Sequence, residues 1–300
     1  MAHDELRPLM FSIAYRMLGS VAEAEDVVQE AFLRIHKSSI EGKAAESPEA
    51  FATTVTTRLS IDALRSARRR REQYVGSWLP EPLLDDHADP AHRIEMDETV
   101  SIAFLVVLER LSPVERAVFL LREVFGYDYA EIAAVVDKSA SNCRQLLARA
   151  RRHIDEARPR FDPSPKRRAE LSTQFFAAIH GGDVAGLERL LAEDVAFYAD
   201  GGGKAPAIRR PMHGVVQVAR FLVGLNRQAA RFDVQVEPVQ ANGQPAARLL
   251  VADGALLGVM SVEVVGGRVA AVRNQINPGK LGHLGRVGDL TALMRSAGSG

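Results

Sequence analysis

Three hundred residues, 47% hydrophobic and 25% charged, exclude wholesale disorder and leave room for two or three compact units, each with its own core. The single cysteine, Cys143, excludes an intrachain disulfide framework and a cysteine-built zinc site, and a reducing cytoplasm fits it best. Formal charge is zero, 38 basic against 38 acidic side chains, which alone argues against a nucleic-acid binder, but the charges are segregated: residues 65–72 carry five Arg and one Glu, residues 81–98 seven acids and one Arg.

The N-terminal stretch MAHDELRPLMFSIAYRML contains acidic residues and no long apolar core ending in a small-residue cleavage site. No run reaches the length that spans a bilayer, so a soluble, unexported protein is expected.

Residues 5–72 are expected to be helical. In AEDVVQEAFLRIHK, Val27, Val28, Ala31, Phe32 and Ile35 make one apolar face, with Asp26, Gln29, Glu30 and Arg34 largely on the other. A second helix starts near Ser47, with Pro48 in its first turn, runs through FATTVTTRLSIDALRSARRRR and ends by about Val75. The prolines of SWLPEPLLDDHADP then forbid a long helix, so a linker is expected until helices resume near Arg93.

In LSPVERAVFLLREVFGYDYAEIAAVVDKSASNCRQLLARARRHIDEA a Ser-Pro-x-Glu start opens an apolar helix. A break at Gly126, a short helix, a turn over residues 137–139 and a basic last helix follow. RPRFDPSPKRR, with three prolines and five basic residues, reads as a second linker. Beyond it the pattern changes to helix then strand. FDVQVEPV, AARLLVAD, ALLGVMSVEVV and GRVAAVRNQI are separated by Asn-Gly, Asp-Gly and Gly-Gly, the signals of successive antiparallel hairpins.

A helix, a short turn and a helix beginning SASNCRQLLARARRH fit a major-groove reader. Small and polar residues at its start meet base edges, and arginines further along meet phosphates. Asn142 and Gln145 could read adenine and Arg144 guanine through bidentate hydrogen bonds. The competing reading is a three-helix packing unit with solvated polar residues. The block Arg65, Arg68, Arg69, Arg70 and Arg71 is by itself only a phosphate-binding or solvated face; a second basic helix one linker away makes two DNA-contacting modules on one tether.

DGGGK, residues 200–204, has glycines that could gather N–H groups round an anion. A phosphate loop needs Gly-x-x-x-x-Gly-Lys-Ser/Thr, and Ala205 and Pro206 follow Lys204, so capture of protein is the better reading of this loop.

These residues resemble a known family. AYRMLGSVAEAEDVVQEAFLRIHK resembles the polymerase-binding helix of bacterial extracytoplasmic-function sigma factors of the sigma-70 family. FATTVTTRLSIDALRSARRRRE resembles their minus-ten reader, and residues 111–154 resemble their minus-thirty-five reader. SWLPEPL, DGGGK and NPGKL (residues 277–281) together resemble the branch with a C-terminal SnoaL-like extension, the SigJ type included.

The resemblance implies two all-α sigma modules plus a C-terminal α+β NTF2/SnoaL-like cone. It places sigma region 2 at residues 5–75, an acidic linker at 76–100 similar to the segment that threads the polymerase channel, and region 4 at 101–158. A linker at 159–167, the cone at 168–281 and a tail at 282–300 follow. It also implies that Asp26, Val27, Gln29, Glu30 and Leu33 meet core RNA polymerase, and that Arg58, Asp62, Arg65, Arg68, Arg69 and Arg70 meet the minus-ten element. Ser139, Ser141, Asn142, Arg144, Gln145 and Arg149 would meet the minus-thirty-five element. Many relatives carry Asn where this chain has Arg58, so the minus-ten base preference does not transfer.

The expected partners are core polymerase, double-stranded promoter DNA and the melted minus-ten strand in a bacterial cytoplasm. No membrane, metal, cofactor or separate anti-sigma factor is expected, and the cone has room for a small-molecule ligand. The alternative function is a DNA-binding regulator with a ligand-binding or catalytic SnoaL-like domain. An enzyme would need an acid and a base, for which Tyr198, Asp200, His213 and Arg273 are the candidates, yet Asp200 opens a glycine loop and His213 precedes Gly214 in an expected turn. No catalytic residue is therefore assigned. Trp78, the only tryptophan, lies with two prolines in WLPEP, a stiff handle for a glycine-floored surface; the competing role is a cap on the first helical module. A regulatory contact is expected among Trp78, Leu79, Pro80, Asp200, Gly201, Gly202, Gly203, Lys204, Asn277, Pro278, Lys280 and Leu281.

Overall fold

The computed structural model describes residues 2–41, 47–71, 73–85, 98–155 and 164–297. The expected resumption of helix near Arg93 and the side chains of Arg68, Arg69 and Arg70 lie outside the described residues. The chain forms two compact units, Met1–Gln73 with Ala88–Arg158, and Tyr74–His87 with Pro159–Gly300.

The first unit is helical. α1 (Ala2–Leu18), α2 (Val21–Ile40) and α3 (Pro48–Arg71) pack together, burying Phe11, Tyr15, Leu18, Val28 and Leu64 completely. Ser20 caps α2 by accepting from the Glu23 N–H at 3.2 Å. α4 (Ile102–Leu108), α5 (Pro113–Glu123), α6 (Tyr129–Val136) and α7 (Ala140–Asp155) follow a short 3-10 turn at Glu98–Val100. Capping boxes start α5 at Ser112 and Glu115 and α6 at Asp128 and Glu131. Gly126, at φ +74°, turns the chain between them in the left-handed region that glycine tolerates.

The two sets of helices are not separate bodies on a tether, as the sequence suggested, but one unit. Arginines join them by donating to carbonyls left over at helix C-termini, where a cation also meets the negative end of the dipole. Arg116 of α5, 2% exposed, donates to Met17 O at 2.7 Å and to Glu109 at 2.8 Å. Arg71 donates to Leu18 O at 2.7 Å and also pairs with Glu109. Burial alone would raise the Glu109 carboxyl, but the Arg116 and Arg71 charges outweigh it and hold Glu109 below the usual carboxylate range.

The second unit is an α+β cone. α8 (Pro165–His180), α9 (Val184–Leu190) and α10 (Val215–Ala229) cover a six-stranded sheet in the order β2-β1-β6-β5-β4-β3. The strands are β1 (Leu191–Asp200), β2 (Met212–His213), β3 (Gln235–Ala241), β4 (Gln244–Leu250), β5 (Leu256–Val265) and β6 (Arg268–Gln275). β3 to β6 form the antiparallel meander that the turn dipeptides signal, whereas β1 runs parallel to β6. His213 lies in a two-residue strand against β1 rather than in a turn. Phe175, Leu187, Phe197, Leu222, Val262 and Val272 lie in the main core of this unit.

Two boundaries differ from expectation. Residues 74–85 are not a free linker, because residues 79–84 are buried in the cone unit and Leu84 bridges to Ala241. The tail is also part of the fold. Leu256 N–H donates to Arg286 O at 2.8 Å, Gly288 N–H to Leu256 O at 2.9 Å, and α11 (Leu290–Ala297) follows.

Candidate functional sites

On α2, Asp26, Gln29, Glu30 and Leu33 are exposed at i, i+3, i+4 and i+7, one stripe of the helix. Leu33 is 66% exposed, a large apolar side chain left uncovered in this unit. Val27, expected among the interface residues, is 6% exposed and packs inward with Val28, so it supports the stripe instead of presenting itself. Arg34 pairs with Glu30 at 2.8 Å.

On α3, Asp62 and Arg65 are exposed and pair with each other at 2.9 Å. Arg58 has partners within this unit. Its guanidinium donates to Val135 O and Ala134 O, both at 2.8 Å, closing the C-terminal end of α6. The reason is stereochemical: a planar fork satisfies two orphan carbonyls at once, which the shorter Asn of many relatives would not do from the same backbone position. Beside it, Thr53 Oγ1 and Tyr127 Oη share a 2.8 Å hydrogen bond, and Arg58, Ile61, Asp62, Arg65, Asp137 and Lys138 line a polar cleft.

On α7, Cys143, Leu146, Leu147, Ala150 and Ile154 face inward. Ser141, Arg144, Gln145, Arg149 and Arg152 are exposed along the opposite stripe. Ser139 caps the helix by accepting from the Asn142 N–H at 3.2 Å, and Asn142 is half-buried. The Arg144 guanidinium lies 5.0 Å from the Tyr129 ring centroid, and Arg149 pairs with Glu115 at 3.3 Å.

In the cone unit, Asp200 is fully buried at the end of β1 and accepts from four groups. Tyr74 Oη donates to Oδ1 at 2.5 Å. Leu79 N–H, Lys280 Nζ and Gln275 Nε2 donate to Oδ2 at 2.8, 2.7 and 3.3 Å. Lys280 also donates to Leu79 O at 2.6 Å, and its ammonium lies 4.2 Å from the Trp78 ring centroid and 5.0 Å from that of Tyr74. Gln275 reaches Leu79 O and Pro80 O, each at 3.2 Å.

Further along, Leu83 exchanges hydrogen bonds with Asn242, and Asp85 N–H donates to Gln240 O at 3.1 Å. His283 Nε2 lies 2.8 Å from Pro82 O. Residues 74–85 are thus strapped across the ends of β1 and β6 and the β3–β4 turn. Burial, with the Asp200 hydrogen bond second, raises the Tyr74 phenol well above its ordinary value, so it remains a neutral donor.

The glycine loop packs beside this anchor. Lys204 N–H and Ala205 N–H both return to Gly201 O, and Gly202, at φ +58°, lies where a Cβ would collide with the Asn277 amide. Asn277 in turn donates to Tyr74 Oη at 2.8 Å, and Lys204 itself is exposed. The Trp78 ring lies against the Lys280 ammonium, and a Cβ on Gly203, at φ +72°, would meet the Val75 side chain at 3.5 Å. Sequence reasoning missed Tyr74, Asn242, Gln275 and His283. The polar run Asn274, Gln275, inside a strand otherwise rich in valine and alanine, was the available signal.

The acid–base candidates do not converge on the cone cavity. Along β1 and β6, Tyr198, Asp200, Arg273 and Gln275 alternate with Phe197, Ala199, Asn274 and Ile276, and only the latter set lines the cavity. Arg273 is paired with Glu263 at 2.6 Å and His213 is exposed.

Two helical modules with an exposed basic helix, followed by this cone, have the fold of a sigma-70-type initiation factor. The Sigma-70 region 2 family matches residues 3–70, the Sigma-70 region 4 family residues 101–154, and the SnoaL-like domain family residues 172–273. The ECF RNA polymerase sigma factor SigJ of Mycobacterium tuberculosis is 41% identical over 227 residues, covering 74% of this chain and 71% of the relative. The probable ECF sigma factor SigI of the same species is 34% identical over 92% of each chain. The crystal structure of M. tuberculosis SigJ matches with a TM-score of 0.76 and 34% identity, over 93% of this chain and 96% of that one.

The chain belongs to the ECF RNA polymerase sigma factors and carries a fused SnoaL-like domain. As a sigma factor it binds core RNA polymerase and promoter DNA, and it is not an enzyme. Among the described residues no helix is long and apolar enough to cross a membrane.

Proposed function

We propose that the cone regulates this sigma factor by gripping the segment that connects its two DNA-reading modules. The observation that carries this reading is the Asp200 carboxylate, fully buried, with Tyr74 and Leu79 of that segment and Lys280 of NPGKL as its donors. A charge placed there is costly unless the segment supplies its partners, so grip and burial stand or fall together. Core polymerase would compete for the segment, and the factor would need no separate anti-sigma partner.

In the same reading, Asp26, Gln29, Glu30 and Leu33 meet the polymerase in a bacterial cytoplasm. Asp62, Arg65 and the basic end of α3 meet the melted minus-ten strand. The exposed stripe of α7 enters the major groove of the minus-thirty-five element, where Arg144 and Gln145 read base edges and Arg149 and Arg152 meet phosphates. Exposed charges that make only local pairs are free to exchange them for DNA at little cost.

The test is transcription reconstituted from purified core polymerase, a mapped promoter and either the wild-type chain or Asp200→Asn. Altered promoter output with intact core binding is expected. Identical output from the two proteins, with Trp78 emission shifted by the substitution, would separate the grip from regulation.

A further inference from the structure

The exposed arginines of α7 are held in two different ways. Arg149 and Arg151 are paired with carboxylates of α5, Glu115 at 3.3 Å and Glu123 at 2.8 Å. The Arg144 guanidinium makes no hydrogen bond or ion pair among the described residues, and the Tyr129 ring, its centroid 5.0 Å away, is what it meets. A carboxylate ties up the N–H donors of a guanidinium, whereas a ring attracts the charge through its quadrupole and leaves those donors free. The ring is itself fixed. Tyr129 is the first residue of α6, where the Asp128 and Glu131 capping box sets the backbone. Arg122 of α5 lies 5.0 Å from the same ring centroid while donating to Tyr127 O at 2.8 Å. Three helices thus converge on one half-buried aromatic side chain.

We propose that Tyr129 is a positioning residue for promoter recognition, its ring holding the Arg144 guanidinium in place with the donors free for a base edge of the minus-thirty-five element. This deepens the reading of Arg144 as a base reader and rests on it. An arginine that docks from solution loses its rotamer freedom, and one that is already restrained loses less. The gain accrues only where a base edge accepts the guanidinium in bidentate fashion, so it falls on specificity and not on overall affinity. Arg149 and Arg151, held by carboxylates, can exchange those partners for phosphates, which demand charge but no fixed orientation of the fork.

The experiment uses holoenzyme reconstituted from core polymerase and the full chain, with binding measured on a mapped promoter carrying its own or a scrambled minus-thirty-five element. Tyr129→Leu is expected to lower the cognate-to-scrambled ratio about two- to fivefold, the worth of one cation–π contact at an exposed site. Tyr129→Phe, which keeps the ring, should restore it. In an Arg144→Ala background Tyr129→Leu should leave the ratio where it is, because the two changes act on one contact. Tyr129→Met serves the same purpose should the leucine variant fold poorly. A ratio that falls with Arg144→Ala but holds in a folded Tyr129→Leu or Tyr129→Met variant would overturn the positioning role alone. So would a loss equal on the two promoters, or one that Tyr129→Phe shares, since the hydroxyl and not the ring would then be at work. A ratio indifferent to Arg144→Ala would overturn the base-reading role, and the positioning role with it.

Discussion

The helical unit and the cone unit put polar side chains to opposite uses. On α2 and α7 the candidate contacts are exposed and paired, if at all, with near neighbours on the same unit, so another molecule can take them over. In the cone Asp200, Gln275 and Lys280 are buried, and each is committed to a distant part of the chain. Surfaces meant for a partner stay solvated and adaptable, whereas a surface meant for the chain's own segment is desolvated and specific. Exposed pairs are worth little and removing one partner of a buried pair costs several-fold more, which makes the contrast measurable.

Asp200→Asn should produce the largest effect. It leaves Lys280, whose side chain is 10% exposed, as a buried cation without its counter-charge, at a cost of about 3–5 kcal/mol to the cone unit. Thermal unfolding and Trp78 emission read it, with a lower midpoint and a red shift expected. A cost below about 1 kcal/mol would place this pair with ordinary surface pairs and erase the contrast.

Arg144→Ala should leave unfolding nearly unchanged but weaken binding to a cognate minus-thirty-five duplex by about 1–3 kcal/mol relative to a scrambled one. An unchanged cognate-to-scrambled ratio would remove Arg144 from the readers and leave it as a partner of Tyr129.

Arg58→Ala tests a residue that belongs to both classes, exposed yet bonded to two carbonyls of α6. A loss of about 1–2 kcal/mol is expected, on the scale of net hydrogen bonds from a charged donor discounted for exposure. Faster hydrogen exchange within α6 would be its local signature, and unaltered exchange would show that α6 closes without it.

The smallest effect is a pH dependence. Glu109 is held below its unfolded value by Arg116 and Arg71, so its contribution is present above the ordinary carboxylate range and is lost as pH falls through the depressed folded value. Acid titration of Glu109→Gln should lack that part of the stability loss. Parallel curves for the two proteins would show that the arginines act through carbonyls alone.

Much of the helical unit was legible because its information is local. The apolar face of α2, the capping residue Ser112 and the Gly126 break each lie within one or two turns of what they determine. In the cone, the turn dipeptides marked the meander for the same reason. Residues 74–85 were not legible as a strap, since Tyr74 finds Asp200 126 positions away and Leu79 finds Lys280 201 positions away. WLPEP and DGGGK were singled out by composition and NPGKL by resemblance, but periodicity carries no record of which carbonyl an ammonium meets. The Arg58 bonds to α6 were not legible for a related reason: an exposed arginine on a basic helix looks the same whether it faces a phosphate or a neighbouring helix end.

The strap comes from before the second helical module, while the sheet that holds it comes from after it. The chain between them, from residue 88 to residue 158, belongs to the other unit. The cone is therefore a discontinuous fold that borrows a strand-like piece from upstream. Produced as two separate polypeptides, residues 1–158 and 159–300, the protein should reassemble by fragment complementation, with the strap as the shared piece, and elute as one species. Asp200→Asn in the second fragment should split that species in two. A polypeptide of residues 159–300 alone should behave as an incomplete domain, unable to reach full stability until residues 74–85 are supplied in trans, even as a short peptide.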